Sequence, residues 1–334
     1  MALVNPSTTM TEIVTTTLRN RTGKLIDNVT KNNALLHRLQ RKGKVKTVSG
    51  GRTIVQEIEY AENGTFMRYA GYETLNISPS DVFTAAEFNY AQAAVAVSIS
   101  GLEMLQNSGD EAIIDLLESR IENADKTLVN NIAIDCYSDG TGSGSRQIGG
   151  LKLLVSATPT TGAVGGIDPS TTAGAFWANV AATGTTTYGA ATTSANIQSY
   201  MNRVILQLVR GADSPDLIVA DNNMYRKYLE SLQSMQQITN NSDVAGAGFQ
   251  ALKYYGAGKA CDVVLDGGYK GGASADQMYF LNTDYIYFRP HKDRNFVPIG
   301  DDRFAVNQDA MVKLIGFAGN MTLSNRFLHG VLGL

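Results

Sequence analysis

A stripe of apolar residues predicts one long helix over residues 110–136. Its members recur at spacings of three or four: Ile114, Leu117, Ile121, Ala124, Leu128 and Ile132. Ser108 and Glu111 have the spacing of a capping box, which favours a helix start at this point. At 1.5 Å per residue the helix would be roughly 40 Å long, well above the mean of about 11 residues. We expect it to act as a rigid rod with one apolar face.

The first quarter of the chain predicts shorter elements. Residues 10–41 predict a helix in two pieces, and the alternating residues 91–100 predict a strand. Apolar residues on both sides of Gly50 and Gly51, over 45–60, predict a β-hairpin. Residues 66–88 mix aromatic and turn residues without a sustained period, which favours a projecting arm that needs a partner to cover it.

The second half changes in composition. Of the 59 residues from 137 to 195, 39 are Gly, Ala, Ser or Thr, which predicts loops with a short anchor at Phe176 and Trp177. A second compact unit begins at Ser194. Its predicted helices cover 197–211 and 222–234, and its predicted strands cover 216–220, 262–265, 277–281, 285–289 and 311–323. Because helices and strands mix without regular βαβ repetition, we assign the α+β class.

Composition limits the possible classes. The 334 residues suggest about two domains, and a charged fraction of 18% is below the usual ~25%. No apolar run reaches the ~18 residues of a membrane helix, and residues 1–17 do not form a secretion signal. Cys136 and Cys261 form neither a disulfide framework nor a zinc site, so we expect both to be buried as small hydrophobic residues.

Charge is distributed unevenly along the chain. Residues 1–46 hold nine cations and two carboxylates, a net charge of +7, whereas residues 54–125 hold thirteen carboxylates and two cations. The basic segment could pair with the acidic body of a neighbouring subunit, face nucleic acid, or be a solvated terminus.

No residue pattern predicts catalysis. His37, His291 and His329 are not at metal-ligand spacing, and no nucleophile motif occurs. The glycine-rich residues 140–144 follow a helix where a phosphate loop needs a strand, and residues 256–260 lack its first glycine. We therefore assign no catalytic, cofactor-binding or metal-binding residue and expect a non-enzymatic protein.

The order of these segments resembles the major capsid proteins of tailed bacteriophages, with the Hong Kong 97-type fold. A basic N-terminal helix, a Gly-Gly turn, a long unsupported loop and one long helix follow each other in that family's order. Five further stretches are similar to the family: IGGLKLL (148–154), VGGIDPSTTAGAFW (164–177), SPDLIVADNNMYRKYLE (214–230), MYFLNTDYIYFRP (278–290) and NQDAMVKLIGFAGNMTLSNRFLHGVL (307–332). Each motif alone is weak, and the collinear set carries the resemblance across nearly the whole chain.

The resemblance implies a division of the chain into regions. These would be an N-terminal arm (1–45), a hairpin and extended loop (46–92), a peripheral domain with a spine helix and a Gly/Thr-rich loop (93–192), an axial domain (193–296) and return strands (297–334). It also implies pentamers and hexamers that form an icosahedral shell around double-stranded DNA, in a virion assembled in the host cytoplasm.

Partners follow from the same resemblance. We expect a cement or decoration protein, a portal and a scaffolding protein that is a separate chain if Met1 is the natural start. Contact with DNA would be nonspecific and limited to the phosphate backbone. The candidate residues for DNA or subunit contacts are Arg19, Arg21, Lys24, Arg38, Arg41, Lys42 and Arg68. The alternatives are an encapsulin-like compartment shell with a protein cargo, an enzyme built on the second unit, and a tail-tube or adhesin protein.

One departure from part of the family gives a testable prediction. Some members join neighbours by a Lys–Asn isopeptide bond whose Lys lies on the extended loop, but no Lys occurs between Lys46 and Lys126. We predict that particles boiled in detergent under reducing conditions run as one monomer band in a denaturing gel. A ladder of covalent multimers would contradict this.

Overall fold

The structure is a computed structural model that describes residues 33–106, 110–233, 251–256, 259–266, 272–300, 303–304 and 309–334. The predicted helical pieces before Asn33, and the predicted capping residue Ser108, lie outside the described residues. The apolar residues Ile114 and Leu117 lie on a described helix whose side chains are not described at those positions.

Helices and strands alternate irregularly along the described chain. The helices are α1 (Ala34–Arg41), α2 (Gly101–Gln106), α3 (Asp110–Asp135), α4 (Gly142–Ser145), α5 (Leu151–Leu154), α6 (Gly184–Tyr188), α7 (Ile197–Leu208) and α8 (Asn222–Gln233), with a 3₁₀ turn at Ala175–Trp177. The strands are β1 (Ile54–Glu59), β2 (Phe83–Phe88), β3 (Ala91–Ser100), β4 (Val180–Thr183), β5 (Leu217–Ala220), β6 (Ala251–Gly256), β7 (Lys259–Leu265), β8 (Gln277–Leu281), β9 (Ile286–Pro298), β10 (Arg303–Phe304), β11 (Ala310–Leu323) and β12 (Gly330–Gly333). The predicted long helix and the helices near 197 and 222 are confirmed.

A six-stranded sheet forms the wall between two hydrophobic cores. Its strand order is β4-β12-β8-β5-β7-β6, in which β5 pairs parallel with β7 and antiparallel with β8. Leu217 and Val219 belong to one core, and Ile218 and Ala220 belong to the other. All four residues are buried because successive side chains of a strand point to opposite faces of its sheet.

Each core is closed by different elements. The core around Ile218 is covered by α7 and α8, whose buried residues include Met201, Val204 and Met224. The other core joins α1, α3 and a second sheet, in which β11 pairs antiparallel with β3, β9 and β10. The buried residues Ile121, Ala124, Leu128 and Ile132 confirm the apolar face of α3 in its described part.

The predicted β-hairpin over 45–60 is wrong. Strand β1 pairs instead with β2, from Ile54 opposite Phe88 to Glu59 opposite Phe83. Residues before Gly50 run parallel to β9, through bridges of Val45 with Phe288 and of Val48 with His291. The reason is burial: β1 and β2 combine their buried apolar residues on one face, whereas Val45 and Val48 are three positions apart and would point to opposite faces of a regular strand.

Four strands were not predicted from the sequence, namely β4, β6, β10 and β12. A fifth, β2, lies in a segment that the sequence predicted to be part of the projecting arm. Strand β4, with the sequence Val-Ala-Ala-Thr, shows why. It is short, rich in small residues and held by parallel pairing with β12. A segment of this kind has no period that distinguishes it from a loop.

Helix α1 gives a prediction about stability. Leu39 is fully buried in the core that α1 shares with α3, whereas Gln40 on the same helix is exposed. We expect Leu39→Ala to lower the free energy of unfolding by about 2–5 kcal/mol, because it leaves a cavity. The control Gln40→Ala should change it by less than about 0.5 kcal/mol. Chemical denaturation followed by tryptophan fluorescence measures both, and equal effects would contradict the packing of α1.

Candidate subunit-interaction surfaces

Helix α1 is fixed at its beginning by its capping residue. Asn33 Oδ1 accepts a hydrogen bond from the Leu36 N–H at 3.1 Å, which is the expected N-cap contact. Asn33 Nδ2 donates to the carbonyl oxygen of Ala133 on α3 at 3.4 Å. The helix therefore starts in a defined position against α3, and its four apolar residues Ala34, Leu35, Leu36 and Leu39 are buried.

Cations of α1 and of the residue after it contact carboxylates beside the six-stranded sheet. Arg38 lies 3.2 Å from the Asp216 carboxylate and 3.3 Å from the Asp262 carboxylate. Lys42 Nζ lies 3.0 Å from Asp216 and 3.2 Å from Asp284. Burial raises the pKa of Asp216, but hydrogen bonds from Thr283 and the nearby Lys42 outweigh it, so that this pKa lies below its usual value.

The structure separates the predicted assembly or DNA-facing residues into three groups. Arg19, Arg21 and Lys24 lie outside the described residues. Arg38 and Lys42 contact carboxylates of their own chain, a pairing that the sequence did not reveal, and Arg41 is exposed at the end of α1. Arg68 lies apart from them on the loop after β1, with its guanidinium 5.8 Å from the ring of Phe66. Their roles toward DNA or a neighbour stay predictions.

The loop between β1 and β2 exposes many large apolar side chains. Residues 60–82 form neither helix nor strand. Phe66 is 78% exposed, Ile77 is 91% exposed, and Tyr72 is fully exposed. The prediction that this loop lacks a core of its own is confirmed for these residues. For Phe83–Phe88 it is wrong, because that segment is strand β2 and buries Ala86 and Phe88.

The base of this arm is attached to the body through aromatic residues. Tyr60, at the end of β1, stacks on Phe176 with ring centroids 5.1 Å apart. The neighbouring Trp177 is buried, and its Nε1 donates to the carbonyl oxygen of Val164 at 2.9 Å. The predicted anchor at Phe176 and Trp177 is confirmed, but its partner Tyr60 could not be found from the sequence, because 115 residues separate the two stacked rings.

An open groove of about 820 Å³ lies between β3 and α3. Strand β3 pairs with β11 along one edge only, within the described residues. At one end of the groove Arg120 donates to the carbonyl oxygen of Ser98 at 2.6 Å and to Glu103 at 3.0 Å. The hydrogen bond from Arg120 to the Glu103 carboxylate, with one from the Ser100 N–H, lowers the pKa of Glu103 to about 2.

A second group of cations surrounds the ring of Tyr287 on β9. The Lys44 Nζ, Lys46 Nζ and Arg289 Cζ atoms lie 5.3, 5.4 and 5.1 Å from the ring centroid. The parallel register places Lys44 opposite Tyr287 and Lys46 opposite Arg289. We call these four residues the basic cluster. This cluster was not predicted from the sequence, although the alternation of Lys44 and Lys46 was a signal that both side chains share one face.

Solved structures with this arrangement are capsids. The capsid asymmetric unit of cyanophage A-1(L) has a TM-score of 0.62 at 14% identity and covers 88% of this chain and 91% of that chain. The capsid of a native GTA particle has a TM-score of 0.52 at 12% identity and covers 88% and 89%. The capsid of an empty GTA particle has a TM-score of 0.52 at 11% identity and covers 88% and 88%. No protein-family model and no curated protein matches the chain.

The chain has the Hong Kong 97-type capsid fold. The predicted fold class, α+β with a capsid-type arrangement, is confirmed over nearly the whole chain. At these sequence identities the likeness establishes the fold.

Two thiols and one histidine that are buried within the capsid fold are held in neutral forms. Cys136 and Cys261 are both buried free thiols, as predicted, and burial raises the pKa of Cys261 to about 12. Burial lowers the pKa of His329 to about 3, and its Nδ1 accepts a hydrogen bond from the Asn282 N–H. Within the described residues no group of three His, Cys, Asp or Glu side chains could hold a metal, and no helix is both long and apolar enough to cross a membrane.

The Asp216 contacts give a prediction with a pH dependence. Asp216→Asn should lower the free energy of unfolding by about 2 kcal/mol at pH 7, because Arg38 and Lys42 lose a charged partner. The wild-type carboxylate has a lowered pKa in the folded protein. Its contribution to the free energy of unfolding is therefore complete above the pKa of the unfolded chain, about 3.9, and is lost as the pH falls through the folded pKa. The difference between the two proteins should therefore shrink below about pH 4.

Denaturant unfolding at pH 7, 5 and 3.5 measures this difference. The control is Asp293→Asn, which removes an exposed carboxylate from β9 and should leave stability within about 0.5 kcal/mol of wild type. A pH-independent difference for Asp216→Asn would contradict the ion pairs as its cause.

Proposed function

We propose that this chain is a major capsid protein that self-assembles into a closed shell. The observation that supports this most is the arm of residues 60–82, whose aromatic side chains are exposed on a capsid-type fold. Exposed apolar area of this size is uncommon on a monomer and is typical of surfaces that a partner covers. Because every copy carries the same arm, other copies of the chain can supply the cover.

The proposal assigns a role to each region of the chain. Residues 1–45 form an N-terminal arm and 46–92 the extended loop with its strands. Residues 93–192 form a peripheral domain around α3, and 193–296 form an axial domain that gathers copies at five-fold and six-fold axes. Residues 297–334 return to both domains. Strands β11 and β12 support this last role, because they pair with β3 and with β4 and β8 respectively.

The proposed shell encloses double-stranded DNA in a virion. Pentamers and hexamers of the chain would form an icosahedral lattice, and assembly would take place in the host cytoplasm. A scaffolding protein, a portal and a cement or decoration protein are the proposed partners. The chain is proposed to act structurally rather than as an enzyme, and the basic residues of 1–46 are proposed to meet DNA phosphates or a neighbour.

Expression of the chain alone tests the proposal. We expect negative-stain electron microscopy of the purified protein to show spherical shells, tubes or ring-shaped capsomers. Sedimentation should give the corresponding large species. Mass spectrometry and nucleic-acid staining of particles from the native source should find DNA, whereas a protein cargo would support the encapsulin-like alternative. A compact monomer at high concentration would contradict the proposal.

Shortening the arm makes a sharper test. We expect replacement of residues 62–80 by a short Gly-Ser linker to abolish large assemblies, because the exposed apolar side chains are then absent. The strands β1 and β2 remain, so the monomer should keep its secondary structure and its thermal transition. The control replaces only the exposed Asn63 and the half-buried Ser80, two polar residues joined by a hydrogen bond, with Ala. Shells formed normally by the shortened chain would contradict the role of the arm.

A further inference from the structure

The basic cluster carries more positive charge than the described part of its own chain neutralises. Lys44 Nζ lies 3.9 Å from the Asp284 carboxylate, which also pairs with Lys42 at 3.2 Å. Among the described residues, Lys46 and Arg289 form no ion pair with a carboxylate. Arg289 is held instead by neutral acceptors, Gln56 Oε1 at 2.6 Å and Thr322 Oγ1 at 3.1 Å. Three cations thus share the ring of Tyr287 and one carboxylate.

The two-stranded ribbon of β1 and β2 has the opposite character on its outer face. One side buries Ile54, Ile58, Ala86 and Phe88 against the body. The other side is exposed and carries Glu57, Glu59 and Glu87, together with Val55 at 49% and Phe83 at 73% exposure. We call these five residues the acidic ribbon face. Glu57 and Glu59 form no ion pair within the described residues.

The charge of the ribbon and the arm together is predominantly negative. Residues 54–88 contain six carboxylates and one cation, Arg68, and all six carboxylates are on exposed residues. A surface with apolar and acidic side chains together is best covered by a partner that offers cations and an aromatic ring. The basic cluster offers both.

Strand geometry prevents one copy from joining its own two surfaces. Gln56, whose side chain contacts Arg289, points to the inner face of β1. Glu57 and Glu59 are odd-numbered neighbours on the same strand, so their side chains point to the outer face, away from the basic cluster of the same chain. The contact therefore needs a second copy.

We propose that the acidic ribbon face of one copy docks on the basic cluster of a second copy. Lys44 and Lys46 are two residues apart on an extended strand, as are Glu57 and Glu59, and both pairs span about 7 Å. The two carboxylates can therefore meet the two ammonium groups together, while Phe83 and Val55 cover the ring of Tyr287. This inference rests on the proposed shell function and specifies which surfaces orient neighbouring subunits.

A charge-swap experiment on the full chain tests the docking. We expect Lys44→Glu/Lys46→Glu, and separately Glu57→Lys/Glu59→Lys, to raise the subunit concentration needed for assembly at least about tenfold, because like charges then oppose each other. The four substitutions together should restore assembly to near the wild-type concentration. The matched control Lys126→Glu/Lys152→Glu reverses two exposed cations elsewhere and should assemble like the wild type.

Restoration is the decisive result, because Glu57 and Glu59 point away from the basic cluster of their own chain, so that reversing their charges does not repair a fold that the lysine substitutions disturb. Sedimentation and electron microscopy measure assembly, and circular dichroism checks each variant. Two results would overturn the docking: normal assembly by either double variant, or no recovery in the quadruple variant. Both leave the proposed function intact as long as the wild type forms shells. A wild type that stays monomeric would overturn the shell function itself.

Discussion

Burial of the six-stranded sheet on both faces is the constraint on which the rest of the structure depends. Strand β5 places Leu217 and Val219 in one core and Ile218 and Ala220 in the other. Its parallel pairing sets Leu217 beside Asp262 of β7. Asp216, one residue before β5, therefore lies near Asp262, and Arg38 contacts both carboxylates. The position of α1 thus follows from the register of a sheet that it does not join.

The ribbon of β1 and β2 is buried on one face only, and this explains why the arm of residues 60–82 is exposed. The ribbon of β1 and β2 buries Ile54 and Ile58 on the body, and the stack of Tyr60 on Phe176 holds its base. Beyond that point no described part of the chain forms a second layer over its aromatic residues. A two-stranded ribbon is marginally stable alone. Contacts with other copies would stabilise it, and they would also explain its exposed apolar side chains.

Residues far apart in sequence form the surfaces that the function needs. Lys44 and Lys46 were visible as part of a basic segment, but Arg289 and Tyr287 lie more than 240 residues later. Parallel pairing with β9 joins them. Likewise, Arg38 and Lys42 were predicted to contact DNA or a neighbouring subunit. Their carboxylate partners beside the six-stranded sheet show that a local charge count does not reveal which cations are already paired.

The sequence by itself determined the elements that have a strong local period. These are α3, α7, α8 and the strands around residues 91, 217, 277 and 311, together with the α+β class and the capsid-type order of segments. Tertiary structure alone decided the partner of β1, the strands β4, β6, β10 and β12, and the basic cluster. The physical reason is that the spacing of apolar residues shows which face of an element is apolar. Which strands pair depends instead on backbone hydrogen bonds and on burial shared between distant segments.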